Sequence, residues 1–175
     1  MNRKPNLEDP MADILDKAER YRVRVHRKAR SHFLSAKRAQ RMHTYLGVPV
    51  VVTTTIVGTT IFATLSKQPD PKWQIAAGTL SILAAVLAAL QTFFKSAETA
   101  EKHRVAGASY AALYGSFDLF LLKHKDSNPQ NRLKLIEDLE TLIEQFNQLE
   151  RDSLDVPDRL YDQAVKEQIE DKEGV

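Results

Sequence analysis

Residues 44–66 read TYLGVPVVVTTTIVGTTIFATLS and residues 73–94 read WQIAAGTLSILAAVLAALQTFF, two stretches free of formal charge and one short loop apart. About 20 apolar residues in an α-helix span the roughly 30 Å hydrocarbon core of a bilayer, so each stretch is long enough to cross it. Between them, 67–72 reads KQPDPK, where two prolines stop a helix and the charges are costly in lipid. The pattern predicts a transmembrane helical hairpin with 67–72 as its external loop. A cleaved signal peptide is not expected, because a charged segment precedes the first stretch and no small-residue cleavage pattern follows it. The soluble alternative, two consecutive helices buried on every side, is rare in a chain of 175 residues.

Charge is distributed unevenly around this hairpin. Residues 1–43 hold twelve Lys or Arg against five acids, whereas 137–175 hold thirteen acids against four bases. No Asp or Glu occurs between Glu19 and Asp70. The cations of 24–41, joined by Lys95, Lys102 and Arg104, outnumber Lys67 and Lys72 of the loop by ten to two. Positive residues stay on the cytoplasmic side, so both termini are expected there, in a multi-pass protein of the plasma membrane. Tyr45, Phe93, Phe94 and Trp73 fall at the expected interfaces. Arg30, Lys37, Arg38 and Arg41 are the candidates to contact anionic lipid, and their place beside a span disfavours nucleic acid as the partner.

The remaining chain reads as helix. Asp9-Pro10 is a helix start, after which Met11, Ile14, Ala18, Tyr21, Val25, Ala29, Phe33 and Ala36 recur every three or four residues, predicting an amphipathic basic helix over 9–43. Nothing forces a break before 44–66, although Pro49 can kink the span. The second span also lacks a breaker, so 95–122 is expected to continue it into the cytoplasm. Asn128-Pro129 begins a further helix over 128–154, where Leu135, Leu139, Leu142, Phe146 and Leu149 form a two-heptad seam. That seam is too short for a free-standing coiled coil and is expected to dock on the other cytoplasmic helices. Residues 155–175 are read as an acidic tail, with Pro157 ending the helix or opening a last short one and a frayed end from Lys166. The fold class is therefore all-α: a two-span hairpin extended by a cytoplasmic helical bundle.

Enzymatic signatures are missing, and no cofactor or metal is expected. Cysteine is absent, which excludes thiol catalysis, disulfides and cysteine-ligated metals. The six glycines are scattered rather than gathered into a phosphate loop, and the five histidines contain no i, i+4 pair. His103 with Tyr110 and Tyr114 is the one polar-aromatic cluster, and His103, Gly107 and Tyr110 are expected as an interhelical hydrogen-bonding position. Within the spans, Thr53, Thr60 and Thr64 share a face and are the candidate pore lining, although a threonine hydroxyl can also satisfy itself on the preceding turn. Ala77, Ser81, Ala85 and Ala89 form a row of small residues, the candidate helix-packing face.

With these pieces in place, short motifs carry a family likeness. His43-Thr44-Tyr45-Leu46-Gly47 enters the first span, Leu90-Gln91-Thr92-Phe93-Phe94 leaves the second, and Ala97-Glu98, Ala100-Glu101-Lys102-His103, Ala106-Gly107 and Tyr110 follow. In their order around a short-looped hairpin the chain resembles the SMODS and SLOG-associating two-transmembrane effector family, SLATT, over roughly residues 20–120. The resemblance implies a membrane effector of prokaryotic conflict systems that forms pores or disrupts the membrane when a nucleotide second messenger or similar signal is sensed. Two helices enclose no channel, so a pore implies a homo-oligomer. A separate nucleotide-signal sensor or synthase is the expected partner, unless the cytoplasmic helices themselves sense. The rival readings are a non-conducting membrane anchor that recruits a soluble partner, and a basic-segment sensor of anionic lipid.

Because the chain lacks cysteine, one introduced thiol reports topology. A Gln68→Cys variant should be labelled by a membrane-impermeant maleimide in intact cells; labelling only after lysis would reverse the orientation.

Overall fold

The first cause of the architecture is helix periodicity, which runs almost unbroken through the sequence. The computed structural model describes residues 10–64, 71–124 and 131–173, with the side chains of residues 10, 60–64, 91 and 93 outside that description. The protein is all-α, with α1 (Pro10–Thr64), α2 (Pro71–Phe94), α3 (Ser96–His124), α4 (Arg132–Asp152) and α5 (Asp158–Glu173). Proline at the first helical position suits α1 and α2, where the missing N–H would have had no intrahelical partner. Asp13 and Asp158, in the first turns of α1 and α5, complement the positive ends of those helices.

The chain divides into two compact units. One, the bundle unit, comprises Met1–Ala36 and Lys102–Val175; the other, the hairpin unit, is Lys37–Glu101. In the bundle unit the α1 stripe supplies Ala18, Val25 and Ala29, α3 supplies Tyr110, Leu113, Phe117 and Phe120, and α4 supplies Leu135, Leu139 and Phe146. The α4 seam is thus used inside the chain. Tyr21 ties the three helices together, stacking on Phe117 at 6.1 Å between ring centroids and meeting Phe146 edge-on at 5.7 Å.

Ion pairs fix how these helices face one another. Arg22 donates to Asp118 of α3 at 2.6 Å, Arg24 and Lys28 converge on Glu150 of α4, and Arg30 donates to Glu167 of α5 at 2.6 Å. Burial opposes ionisation of Glu150, but the Lys28 hydrogen bond and charge, with Arg24, outweigh it and hold the carboxyl below its ordinary range. The opposite charges at the two ends of the sequence are here partners in one bundle.

Several sequence expectations are corrected. The last short helix that Pro157 could open does form, but its end is not frayed from Lys166: α5 runs to Glu173 and buries Leu160, Ala164 and Gln168, an i, i+4, i+8 row too sparse to register as a stripe. The second span does not continue unbroken into 95–122, because Lys95 adopts a left-handed φ of 42° and ends α2 one residue before α3 begins. That conformation usually calls for glycine, so a lysine carries no signal of it. The helix expected over 128–154 runs from Arg132 to Asp152, residues 128–130 lying outside the described residues. Of the expected loop, 67–70 also lie outside them, and Pro71 and Lys72 are the first turn of α2.

Phe146 has no exposed surface and its ring meets those of Tyr21 and Tyr110. Phe146→Ala should cost about 3–5 kcal/mol of bundle stability. Leu133→Ala, at a site 83 % exposed, should change the denaturation midpoint little.

Candidate functional site

Each unit presents one arrangement that sequence reading singled out. In the hairpin unit, apolar side chains point outward. Val51 is 64 % exposed, Ile75 70 % and Ile82 67 %, with Val48, Val52, Ile56, Leu83 and Val86 also exposed. Among the described residues, two helices are long and apolar enough to cross a membrane: α2 over Pro71–Leu90 and α3 over Ser96–His124. They are used differently, since 6 % of the α2 window is buried against 28 % for α3, whose aromatic face fills the bundle core. The stretch 44–66 is helical through Thr64, and Pro49 does not break it.

Several hydroxyls of this surface are satisfied by their own helix. Thr53 donates to the Pro49 carbonyl at 2.7 Å, Thr54 to Val50 at 2.8 Å, Thr55 to Val51 at 2.7 Å, Thr59 to Thr55 at 2.9 Å and Ser81 to Ala77 at 2.8 Å. Such bonds let a hydroxyl lie in an apolar medium without a partner helix. Of the three candidate pore-lining residues, Thr53 is half-buried on the same face as Leu46, Val50 and Val57, while the side chains of Thr60 and Thr64 lie outside the described residues. Within residues 53–59, Thr54, Thr55 and Thr59 are the exposed threonines.

The small-residue row is likewise not the contact face within the chain. Only Ala77 is half-buried; Ser81, Ala85 and Ala89 are exposed, and the shielded positions are Ala77, Leu80, Ala84, Leu87 and Ala88. Steps of four residues turn about 40° too far each time, so a row of three such steps leaves any straight contact line by about 120°. Alternating steps of three and four stay on it. Among the candidate lipid-contacting cations, Arg30 is paired with Glu167 instead. Lys37, Arg38 and Arg41 are exposed and have no ion pair among the described residues.

In the bundle unit, the cluster of His103, Gly107 and Tyr110 is assembled, and α1 completes it. His32 Nδ1 lies 3.0 Å from His103 Nδ1, so one imidazole donates its proton to the other. Tyr110 stacks on His32 at 5.3 Å and its hydroxyl lies 3.3 Å from Ser153 Oγ. Gly107 makes room for Phe33, because a Cβ there would meet the Phe33 ring at 3.1 Å. The neighbouring Ser31 and Ser35 are buried and bond back to the carbonyls of Lys28 and Ser31. His32 was missed as a member, though the signal existed: Val25, Ala29, His32 and Ala36 follow the helical period more closely than a stripe through Phe33.

Burial first, then the neighbouring His103 and Lys28, pushes His32 down to about 4, and burial also lowers His103. The pair therefore rests neutral near pH 7, holding two helices through one shared hydrogen bond. Among the described residues no three His, Asp or Glu converge to hold a metal. A second polar junction joins α1, α3 and α5: Gln168 donates to His26 at 3.1 Å and accepts from Arg27 at 2.7 Å, beside a cavity of about 160 Å³ that Arg22, Tyr114 and Asp171 also line. Neither cluster sets an activated nucleophile beside a base.

No protein-family model, curated protein or solved structure matches the chain.

The His32 value lies below the ordinary 6.5, so the stability of the neutral pair is complete above pH 6.5 and is lost as pH falls toward 4. Moving from pH 7.5 to 5 should cost about 2 kcal/mol at His32. His32→Asn, which cannot titrate, should flatten the pH dependence of the denaturation midpoint; an unaltered slope would show that the pair is not its source.

Proposed function

We propose that the protein is a two-span membrane effector that assembles as a homo-oligomer and permeabilises the bilayer on activation. The observation that carries the membrane part is the hairpin unit, where both helices turn valine, isoleucine and leucine outward and every described hydroxyl bond returns to the backbone. A water-exposed helix pair of this composition would leave a large apolar surface uncovered. In this reading residues 44–66 and 73–94 cross, and α3 stays in the aqueous bundle, because it packs with α1 and α4, whose other faces carry Arg, Lys and Glu. Lys37, Arg38 and Arg41 sit where the apolar surface begins and face anionic headgroups, with both termini on the cytoplasmic side of the plasma membrane.

The effector role, in a prokaryotic defence system that responds to a nucleotide signal, follows from the likeness to the SLATT family. In that role the bundle receives the signal, directly or through a separate sensor or synthase, and changes how the hairpins associate. The second reading is a non-conducting anchor or scaffold. It is favoured by the threonines, whose hydroxyls are already bonded to their own helix and need no water-filled path.

Reconstitution into dye-loaded vesicles separates the two. The effector should release dye, and an anchor should retain it. If Thr55 and Thr59 line the path, the double change Thr55→Leu, Thr59→Leu should abolish leakage while insertion persists, because a larger apolar side chain narrows and dries a pore. Thr54→Leu, about 100° around the same helix, should leave leakage intact. Leakage by none of these proteins, the parent included, would leave the anchor as the function.

A further inference from the structure

Helix α3 has two apolar faces, and the bundle uses one. His103, Gly107, Tyr110, Leu113, Phe117 and Phe120 are buried. On the opposite side Val105, Ala108, Ala112, Gly115, Leu119 and Leu122 follow one another at spacings of three, four, three, four and three, all of them exposed, with the larger side chains at the two ends of the row and the small residues at its centre. Val105 is 56 % exposed, Leu119 65 % and Leu122 72 %. A Cβ added at Gly115 would meet nothing within 4 Å. This second face is why α3 is apolar enough to cross a membrane although its core face belongs to the bundle. A helix that is apolar on every side is normally covered on every side.

We propose that the outer face of α3 is a self-association seam on which α3 of a second copy of this chain packs in parallel. The spacing is that of a heptad seam, whose knobs fit the holes of a like helix, and it extends for roughly 27 Å. Size is graded along it: Ala108, Ala112 and Gly115 let two backbones approach at the centre, while Val105 at one end and Leu119 and Leu122 at the other interdigitate. Charge complements the direction. Asp118 and Lys123 flank the seam five residues apart, the separation at which a g position of one parallel helix meets an e position of its partner. Lys123 is exposed with no ion pair among the described residues, and Asp118, though bonded to Arg22, keeps a side chain 58 % exposed. These flanking charges disfavour lipid as the cover.

Six small and medium side chains bury less than a stable interface in solution needs, so pairing depends on local concentration. Copies held in one bilayer, as in the function proposed above, supply both that concentration and the common direction. The seam itself stands whether or not the assembly conducts.

The test uses the full chain in membranes, with single cysteines. Thiols at Ala108, Ala112 and Gly115 should each form a like-to-like disulfide dimer under mild oxidation, whereas one at Thr141, exposed on α4, should not. Adding Ala112→Glu to the Ala108→Cys protein should cut the crosslinked fraction by about tenfold, since a charge would be buried at the seam. As Ala112 is exposed in the single chain, the denaturation midpoint should not move, which excludes misfolding. Crosslinking at Ala112 alone would overturn the parallel register, and no crosslinking at any of the three would overturn the seam. Should a lipid-borne photoreactive probe label the face in place of crosslinking, the bilayer covers it and the proposal also fails. Vesicle leakage is read separately, so loss of crosslinking with leakage intact rejects the seam and spares the effector.

Discussion

A helical stretch rich in cations and poor in anions must find most of its counter-charges elsewhere, and this constraint organises the bundle. Between Glu19 and Asp70 the chain has no carboxylate, yet Arg20, Arg22, Arg24, Arg27, Lys28 and Arg30 crowd about three turns of α1. Like charges three or four residues apart repel. Arg20 and Arg22 reach back to Asp16 and Glu19 of α1 itself, and the rest of the relief comes from three other helices, through Asp118 of α3, Glu150 of α4 and Glu167 of α5, nearly a hundred or more residues away in sequence. Pairs this exposed are worth at most about 1 kcal/mol each, so they set rotation and register more than stability. Stability comes from what they align: the Tyr21, Phe117, Phe146 and Tyr110 rings, the last of them stacked on the His32 side of the buried imidazole pair.

Those pairings stop within α1. Lys37, Arg38 and Arg41 have no such acids among the described residues, and from Tyr45 onward the same helix exposes valine and isoleucine. One continuous helix therefore obeys two surface rules, charged outside through Ala36 and apolar outside beyond Arg41. The hairpin unit handles polarity accordingly. Thr53, Thr54, Thr55, Thr59 and Ser81 bond to carbonyls of the turn before, which is what a hydroxyl does where no other donor or acceptor is near. Its contact line runs through small and medium residues, with Ala84 buried, as expected where close packing rather than the hydrophobic effect holds helices together.

Helix α3 stands between these rules. Its core face follows the soluble pattern, with His103 and Tyr110 among the bundle residues, while its outer face resembles the hairpin in composition without being shielded by any described helix. A bundle stapled by an imidazole pair that gains no compensating carboxylate is held together best when neutral, which makes its stability a function of proton activity as well as of packing.

What the sequence by itself determined is whatever depends on neighbours a few residues apart. Charge-free length marked 44–66 and 73–94, a three-to-four period marked α1 and α4, and Asp9-Pro10 marked the start of α1. The tertiary structure alone decided everything that joins distant residues. His32 and His103 are 71 positions apart, Arg30 and Glu167 137, and no local pattern pairs them. Nor did composition distinguish the row Ala77, Ser81, Ala85 and Ala89 from the line through Ala84 that packs, because alanine recurs along both and only the approach of a second helix selects one. Lys95 bends without glycine, and α5 folds on three buried side chains spaced four apart. Periodicity specifies that a helix has a face to hide; which surface hides it is a property of the partner, and the partner is set by packing in three dimensions.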